Sequence, residues 1–198
     1  MKIVFATNNK HKLSEISRMV PQRFTLLGLA DLNIFEDIPE DGDNLADNAL
    51  QKARFVHSRT GMNVFADDTG LEVEALDGRP GVYSARYAGE GCSFDDNMDK
   101  LLGEMEDNEN RNARFRTVIA LILDDKEYLF EGIAGGKITR EKTGKAGFGY
   151  DPIFISDGMN LTFAEIDPEL KNSISHRGKA TRRLIAFLDS YSQQQKQG

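Results

Sequence analysis

Ten consecutive residues, Arg114 to Leu123 (RFRTVIALIL), limit the fold more than any other stretch of this chain. Their first half alternates polar and apolar side chains, and the second, Val118 to Leu123, is apolar without a break. Successive side chains of a strand point to opposite faces, so that second half must be buried on both. Asp124, Asp125 and Lys126 then turn the chain into a second strand, Glu127 to Ile133, and a long antiparallel hairpin is expected. The N-terminal part reads differently. Lys2 to Ala6 is a short apolar strand, followed by a polar turn and a helical pattern in which Leu13, Ile16 and Val20 share a face, with Pro21 just beyond. Parallel-looking units of this kind together with the hairpin predict a mixed sheet.

Met62 to Ala66 is a strand that delivers two adjacent carboxylates, Asp67 and Asp68, followed by Thr69 and Gly70. Alternation should send the two aspartates to opposite sides, one held by the scaffold and the other facing a cleft. Like charges at the end of a buried strand need a cation, a hydrogen-bond partner or water nearby. An ordinary turn, with Gly70 supplying positive φ, fits the same four residues. Beyond it Leu71, Val73 and Ala75 alternate with Glu72 and Glu74 as a half-exposed ribbon, and Gly78, Pro80 and Gly81 make a tight loop.

Four further stretches carry chemistry of complementary kinds. Thr7, Asn8 and Asn9 open a helix with Lys10 and Lys12, where backbone N–H groups and the helix dipole favour anions; a capped helix with solvated lysines reads equally well. Glu36 to Asp47 holds six acidic and no basic residues before a helix with Leu45, Ala49, Ala53 and Val56 on one face. That run suits a solvated loop, yet Glu40 or Asp41 could reach the aspartates and complete an oxygen-rich magnesium shell. Thr143 to Asp151 sets three glycines around two aromatics, as a flexible loop or as a surface on which a base can stack. Ser175, His176, Arg177 and Gly178 precede a helix whose Ala180, Leu184, Phe187, Leu188 and Tyr191 share a face, and they read either as surface or as a donor pair. Ser93 with Asp96 forms a capping box for a helix carrying Phe94, Met98, Leu101 and Met105.

Composition narrows the partners. With 198 residues and a formal charge of -7, the chain suits one large domain or two lobes and lacks the broad basic surface that nucleic-acid binding needs. No apolar run approaches the ~20 residues of a membrane helix, and the N-terminus lacks a signal peptide's apolar stretch, so no membrane contact and a cytoplasmic address are expected. Cys92 is the only cysteine, which excludes an intrachain disulfide and a cysteine-based zinc cluster. A disordered tail is expected over about 193–198.

Six motifs in fixed order then resemble the inosine triphosphate pyrophosphatase family. They are Thr7-x-Asn9-x-x-Lys12, Glu40-x-Gly42 leading to Asn48-Ala49, Ala66 to Leu71 (ADDTGL), Pro80 to Arg86 (PGVYSAR), Gly147 to Pro152 (GFGYDP) and Ser175 to Gly178 (SHRG). The resemblance runs from Lys2 to about Leu188 and implies an α/β fold with a long mixed central sheet flanked by helices, a single bilobal domain over 1–198, a substrate cleft between lobes, magnesium dependence and a homodimer. It implies hydrolysis of deaminated purine nucleoside triphosphates (ITP, dITP, XTP) to the monophosphate and pyrophosphate. By the matching motifs, Thr7, Asn8, Asn9, Lys10, His11 and Lys12 would hold the phosphates, with Thr69 also at the substrate. Glu40, Asp68 and Asp67 would serve the metal, Asp68 being the catalytic acid-base residue. Phe148, Gly149, Tyr150, Asp151, Lys171, His176 and Arg177 would hold the base, with donors from His176 and Arg177 favouring a 6-oxo group over adenine's amine. Thr69 stands where many relatives have serine, and Asp47 where glutamate is common. A non-catalytic purine nucleotide sensor and a phosphohydrolase of other specificity are the alternatives.

Overall fold

The protein is described from a computed structural model that covers residues 1–194. It divides into two compact units, the first formed by Met1–Asp68, Thr117–Gly132 and the chain from Arg177, the second by Thr69–Arg116 and Ile133–His176. The strands are β1 (Lys2–Phe5), β2 (Thr25–Leu27), β3 (Val64–Val73), β4 (Pro80–Gly81), β5 (Asn112–Leu123), β6 (Lys126–Ile138) and β7 (Phe154–Ser156). The helices are α1 (Lys10–Ser17), α2 (Leu45–Thr60), α3 (Phe94–Glu104), α4 (Pro168–Ile174) and α5 (His176–Gln194).

In the first unit the strand order is β2-β1-β3-β5-β6, with β1 parallel to both β2 and β3. Alternation along the strands builds two cores, one on each face. Ile3, Phe5, Phe65, Ile119, Leu121 and Leu123 meet Ile16 of α1 and Ala180, Leu184 and Leu188 of α5. The intervening residues Val4, Ala6, Val64, Ala66, Ala120 and Ile122 meet Ala49, Ala53 and Val56 of α2. The unbroken apolar run at the end of β5 is thereby buried on both faces, as its sequence requires. Each such side chain taken from water is worth ~1.5–3 kcal/mol, which is what holds the helices to the sheet.

In the second unit β4 pairs with β3 antiparallel, and β6 pairs with β7 antiparallel. Here one face is apolar: Leu71, Val73, Ala113, Phe115, Ala134 and Ile138 share a core with Met98 and Leu101 of α3. The other face carries ionic pairs such as Arg114 with Glu72. The capping box at the start of α3 is present in full, Ser93 and Asp96 each satisfying the other's backbone N–H.

Several elements differ in extent from their sequence reading. β3 does not turn at Asp67–Gly70 but runs straight through to Val73. Gly70 is therefore not there for positive φ; a Cβ on it would lie 2.6 Å from the Gly81 carbonyl oxygen, so the glycine lets β4 approach. Phe94, which spacing groups with the core face of α3, is 43% exposed. Of the tail expected to be disordered, Gln193 and Gln194 close α5, and residues 195–198 lie outside the described residues. Among the described residues no helix is long and apolar enough to cross a membrane.

Candidate active site

The aspartates end the first unit's share of β3, and alternation puts them against different helices. Asp67 follows Phe65 toward α1 and α5. Its Oδ1 lies 3.2 Å from Lys12 Nζ of α1, and its Oδ2 accepts from Arg177 Nε of α5 at 3.1 Å. Arg177 Nη1 also donates to Glu15 Oε2 at 2.7 Å. Burial opposes ionisation of Asp67, but Lys12, Arg177 and Lys52 outweigh it and hold the carboxyl well below the usual carboxylate range. Burial pushes the Lys12 ammonium down against the pull of Asp67, and nearby Lys52 and Arg177 push the same way as burial.

Asp68 follows Ala66 toward α2. Its Oδ2 accepts from Asn48 Nδ2 at 3.1 Å, and its Oδ1 lies 3.3 Å from Lys52 Nζ. The Asn48 amide is oriented in turn, because its Oδ1 accepts from the Gly42 N–H at 2.8 Å. A Cβ at Gly42 would come within 2.9 Å of that same oxygen, so the glycine keeps the contact open. Lys52 Nζ also donates to Glu40 Oε1 at 2.7 Å, so one buried ammonium joins the acidic loop to the strand end. Burial works against the Lys52 charge, yet Asp68, Glu40 and Asp67 prevail and raise its pKa.

Glu40 and Asp68 thus converge on one cation, the Lys52 ammonium, and their oxygens are hard donors of the kind that magnesium takes. That ion takes one or two carboxylates and completes its shell with waters and phosphates. Among the described residues no three or more His, Cys, Asp or Glu gather to hold a metal ion. Asp41 turns elsewhere, accepting from Gln51 Nε2 at 2.6 Å.

The α1 start is more heavily capped than its sequence suggests. Asn9 Oδ1 accepts from the N–H groups of His11 (2.9 Å) and Lys12 (3.2 Å), and Thr7 Oγ1 accepts from Asn9 N–H at 3.1 Å. Two of the helix's N-terminal donors are therefore spoken for. Asn8, Lys10 and His11 are exposed, Thr7 and Lys12 half-buried.

The second unit gathers the aromatic residues. Asp151 Oδ2 accepts from Lys171 Nζ at 2.6 Å and from the Phe148 N–H at 2.8 Å, and Lys171 Nζ stands 5.2 Å from the Phe148 ring centre. Gly144, Gly147 and Gly149 all have positive φ. A Cβ at Gly147 would lie 2.1 Å from Asp151 Oδ2, so this loop closes around its aspartate only with glycine there. Tyr150 is buried, its hydroxyl donating to the Ser84 carbonyl at 2.9 Å, and burial pushes its pKa up. His176 is buried and stacks on Phe115, ring centres 4.4 Å apart; Phe163 neighbours both His176 and Lys171. Thr69, the first residue of this unit, is half-buried.

The structure thus brings together Lys12, Asp67 and Arg177 in one group, Glu40 and Asp68 in a second, and Phe148, Asp151 and Lys171 in a third. His176 and Arg177 are not a surface pair, since both are buried. Sequence reading missed Lys52 and Glu15. Lys52 did leave a signal: Leu45, Asn48, Ala49, Lys52, Ala53 and Val56 are the buried residues of α2, a single i, i+3, i+4 stripe containing one lysine. An ammonium on such a stripe needs an acidic partner.

Comparison with known proteins follows this geometry. A dITP/XTP pyrophosphatase of Flavobacterium johnsoniae is 57% identical over 188 residues, covering 95% of this chain and 98% of that protein. One of Porphyromonas gingivalis is 53% identical over 188 residues, with 94% and 97% covered. Among solved structures, the Staphylococcus aureus Ham1 protein superimposes with a TM-score of 0.87 at 38% identity, over 96% of this chain and all of that one. A HAM1 protein from Coxiella burnetii gives 0.88 at 38% identity, with 96% and 99% covered. The family model described as "Ham1 family" matches residues 3–187, so the resemblance carried by the six motifs is borne out and the chain belongs to the Ham1 family.

Proposed function

We propose that this protein hydrolyses deaminated purine nucleoside triphosphates (ITP, dITP and XTP) to the monophosphate and pyrophosphate. The observation that carries the reading is the near full-length match to relatives named dITP/XTP pyrophosphatase. The three side-chain groups support a division of labour within it. Lys12, Lys52 and the exposed Lys10 supply positive charge for the triphosphate, since phosphoryl chemistry depends on positioning and charge neutralisation. Glu40 would hold magnesium, which when bound would neutralise charge building on the leaving pyrophosphate. Asp68, oriented by Asn48, takes the proton of the water that attacks the α-phosphorus as the bond to the bridging oxygen breaks. Asp67 does neither. A carboxyl held so far below its ordinary range is a poor base, and its oxygens are committed to Lys12 and Arg177. Arg177 accordingly braces Asp67, and recognition of the base falls to Phe148, Tyr150, Asp151, Lys171 and His176, with Phe148 stacking on the purine.

We take the two compact units as two lobes of one domain, place the enzyme in the cytoplasm with its nucleotide pool, and expect a homodimer, which sedimentation measures. The primary test is incubation with ITP and magnesium. Pyrophosphate is expected; orthophosphate would make the chain a different phosphohydrolase, and binding without turnover a sensor. Asp68→Asn should abolish turnover, and near-normal rates at saturating magnesium would remove Asp68 from its role.

A further inference from the structure

Phe94 opens α3, yet it is 43% exposed, while Met98, Leu101 and Met105 of the same segment fill the second unit's core. An exposed phenylalanine at a helix start gains little from its own burial. Its ring does meet that of Phe148, the centres 6.1 Å apart and the planes inclined at 50°, a tilted geometry that aromatic pairs favour. A second tie joins the same two segments. Lys142, which leads into the Gly-rich loop, has its Nζ 3.1 Å from Asp95 Oδ1 and 2.7 Å from Asp99 Oδ1, both on α3.

The loop needs such outside support. Phe148 stands between Gly147 and Gly149, both at positive φ, and glycine leaves a backbone with the widest conformational freedom. The Phe148 N–H bond to Asp151 fixes the backbone at that residue, while the ring takes its direction from its neighbours, the Lys171 ammonium 5.2 Å from its centre and Phe94. Ring direction is what decides whether a purine can stack there.

We propose that the first turn of α3 is the backing of the base-binding loop, with Phe94 as the residue that positions the Phe148 ring. The inference rests on the assignment of Phe148 to the base. It makes α3, through a residue absent from the core, a determinant of how tightly the purine is held. Because Phe94 touches no reacting group, its loss should weaken substrate binding while the chemical step is untouched.

The test is steady-state hydrolysis of ITP by Phe94→Ala, Phe148→Ala and the double variant, with Phe94→Tyr as the conservative replacement. Phe94→Ala is expected to raise KM by about two- to tenfold, the range of one aromatic contact, with kcat unchanged. Phe94→Tyr should restore KM, and in the double variant the Phe94 substitution should add nothing to that of Phe148. If Phe148→Ala raises KM but Phe94→Ala does not, or the two effects multiply independently, the positioning role is wrong while the base assignment stands. If Phe148→Ala leaves KM unchanged, the base assignment fails and this inference with it. A fall in kcat and melting temperature for Phe94→Ala, with KM constant, would make Phe94 merely structural.

Discussion

Replacing Lys52 by methionine removes one charge while keeping a stem of similar length on the buried stripe of α2. In the native protein the Lys52 ammonium, 6% exposed, lies 2.7 Å from a Glu40 oxygen and 3.3 Å from an Asp68 oxygen. Without it two carboxylates face each other no more than about 6 Å apart, by those same two contacts. Removing one partner of a buried pair costs ~3–5 kcal/mol. The Glu40 side chain is 38% exposed and can turn to water, so its share is at most ~1 kcal/mol and the lower end, ~3 kcal/mol, is expected. For a chain of this size each kcal/mol lowers the melting temperature by ~2–4 °C, giving a drop of about 6–12 °C at pH 7. The penalty carries a signature. Two carboxylates left facing each other repel, and a cation that enters between them relieves the repulsion. Magnesium should restore part of the loss in the variant and stabilise the native protein less. Thermal denaturation at pH 7, with and without magnesium, makes the measurement. A variant melting within about 1 °C of the native protein would refute the view that Lys52 balances these two acids.

Two further substitutions probe the other groups. Asp67→Asn leaves Lys12 and Arg177 facing a neutral amide and should cost ~3 kcal/mol at pH 7. Asp67's pKa is depressed on folding, so its contribution is complete above the ordinary carboxyl value of 3.8 and fades as pH falls toward the folded value; the gap between native and variant proteins in urea unfolding should therefore narrow from pH 7 to pH 3. Gly147→Ala would place a Cβ 2.1 Å from Asp151 Oδ2 at a φ of +77°, pushing Asp151 away from Lys171 and raising KM for ITP; Gly149→Ala meets nothing within 4 Å and bears only the backbone strain of its φ of +63°, so it should change KM less.

What could be read from the sequence was whatever depends on period. Two-residue alternation placed the double-sided burial of Val118 to Leu123 and the opposite facing of Asp67 and Asp68, and the 3.6-residue period found the buried face of α2. What escaped depends on chain segments distant in sequence. Glu15 and Arg177 meet although 162 residues apart, and no local pattern announces that contact. Gly70 looked like a turn residue because its neighbours have turn composition; its real constraint is the close pass of Gly81. Phe94 matched the helical period of its core neighbours, but a residue at the first turn lies at the rim of the buried face. The six motifs identified the family correctly, whereas roles within motifs depend on partners, and the partners of Arg177, Asp67 and Glu15, lie outside its own motif.

The paired aspartates have a consequence for how this protein can change. Because their identities are assigned only by parity along one strand, they are spelled alike and cannot stand in for each other. A single-residue deletion between Phe65 and Asp67 would preserve both carboxylates in the sequence while handing Asp68 to the Lys12–Arg177 side and leaving Lys52 opposite Thr69. Loops around the sheet can lengthen or shorten and leave this arrangement whole; the strand cannot, since even a change of two residues, which keeps the parity, slides both carboxylates about 6.6 Å away from their partners.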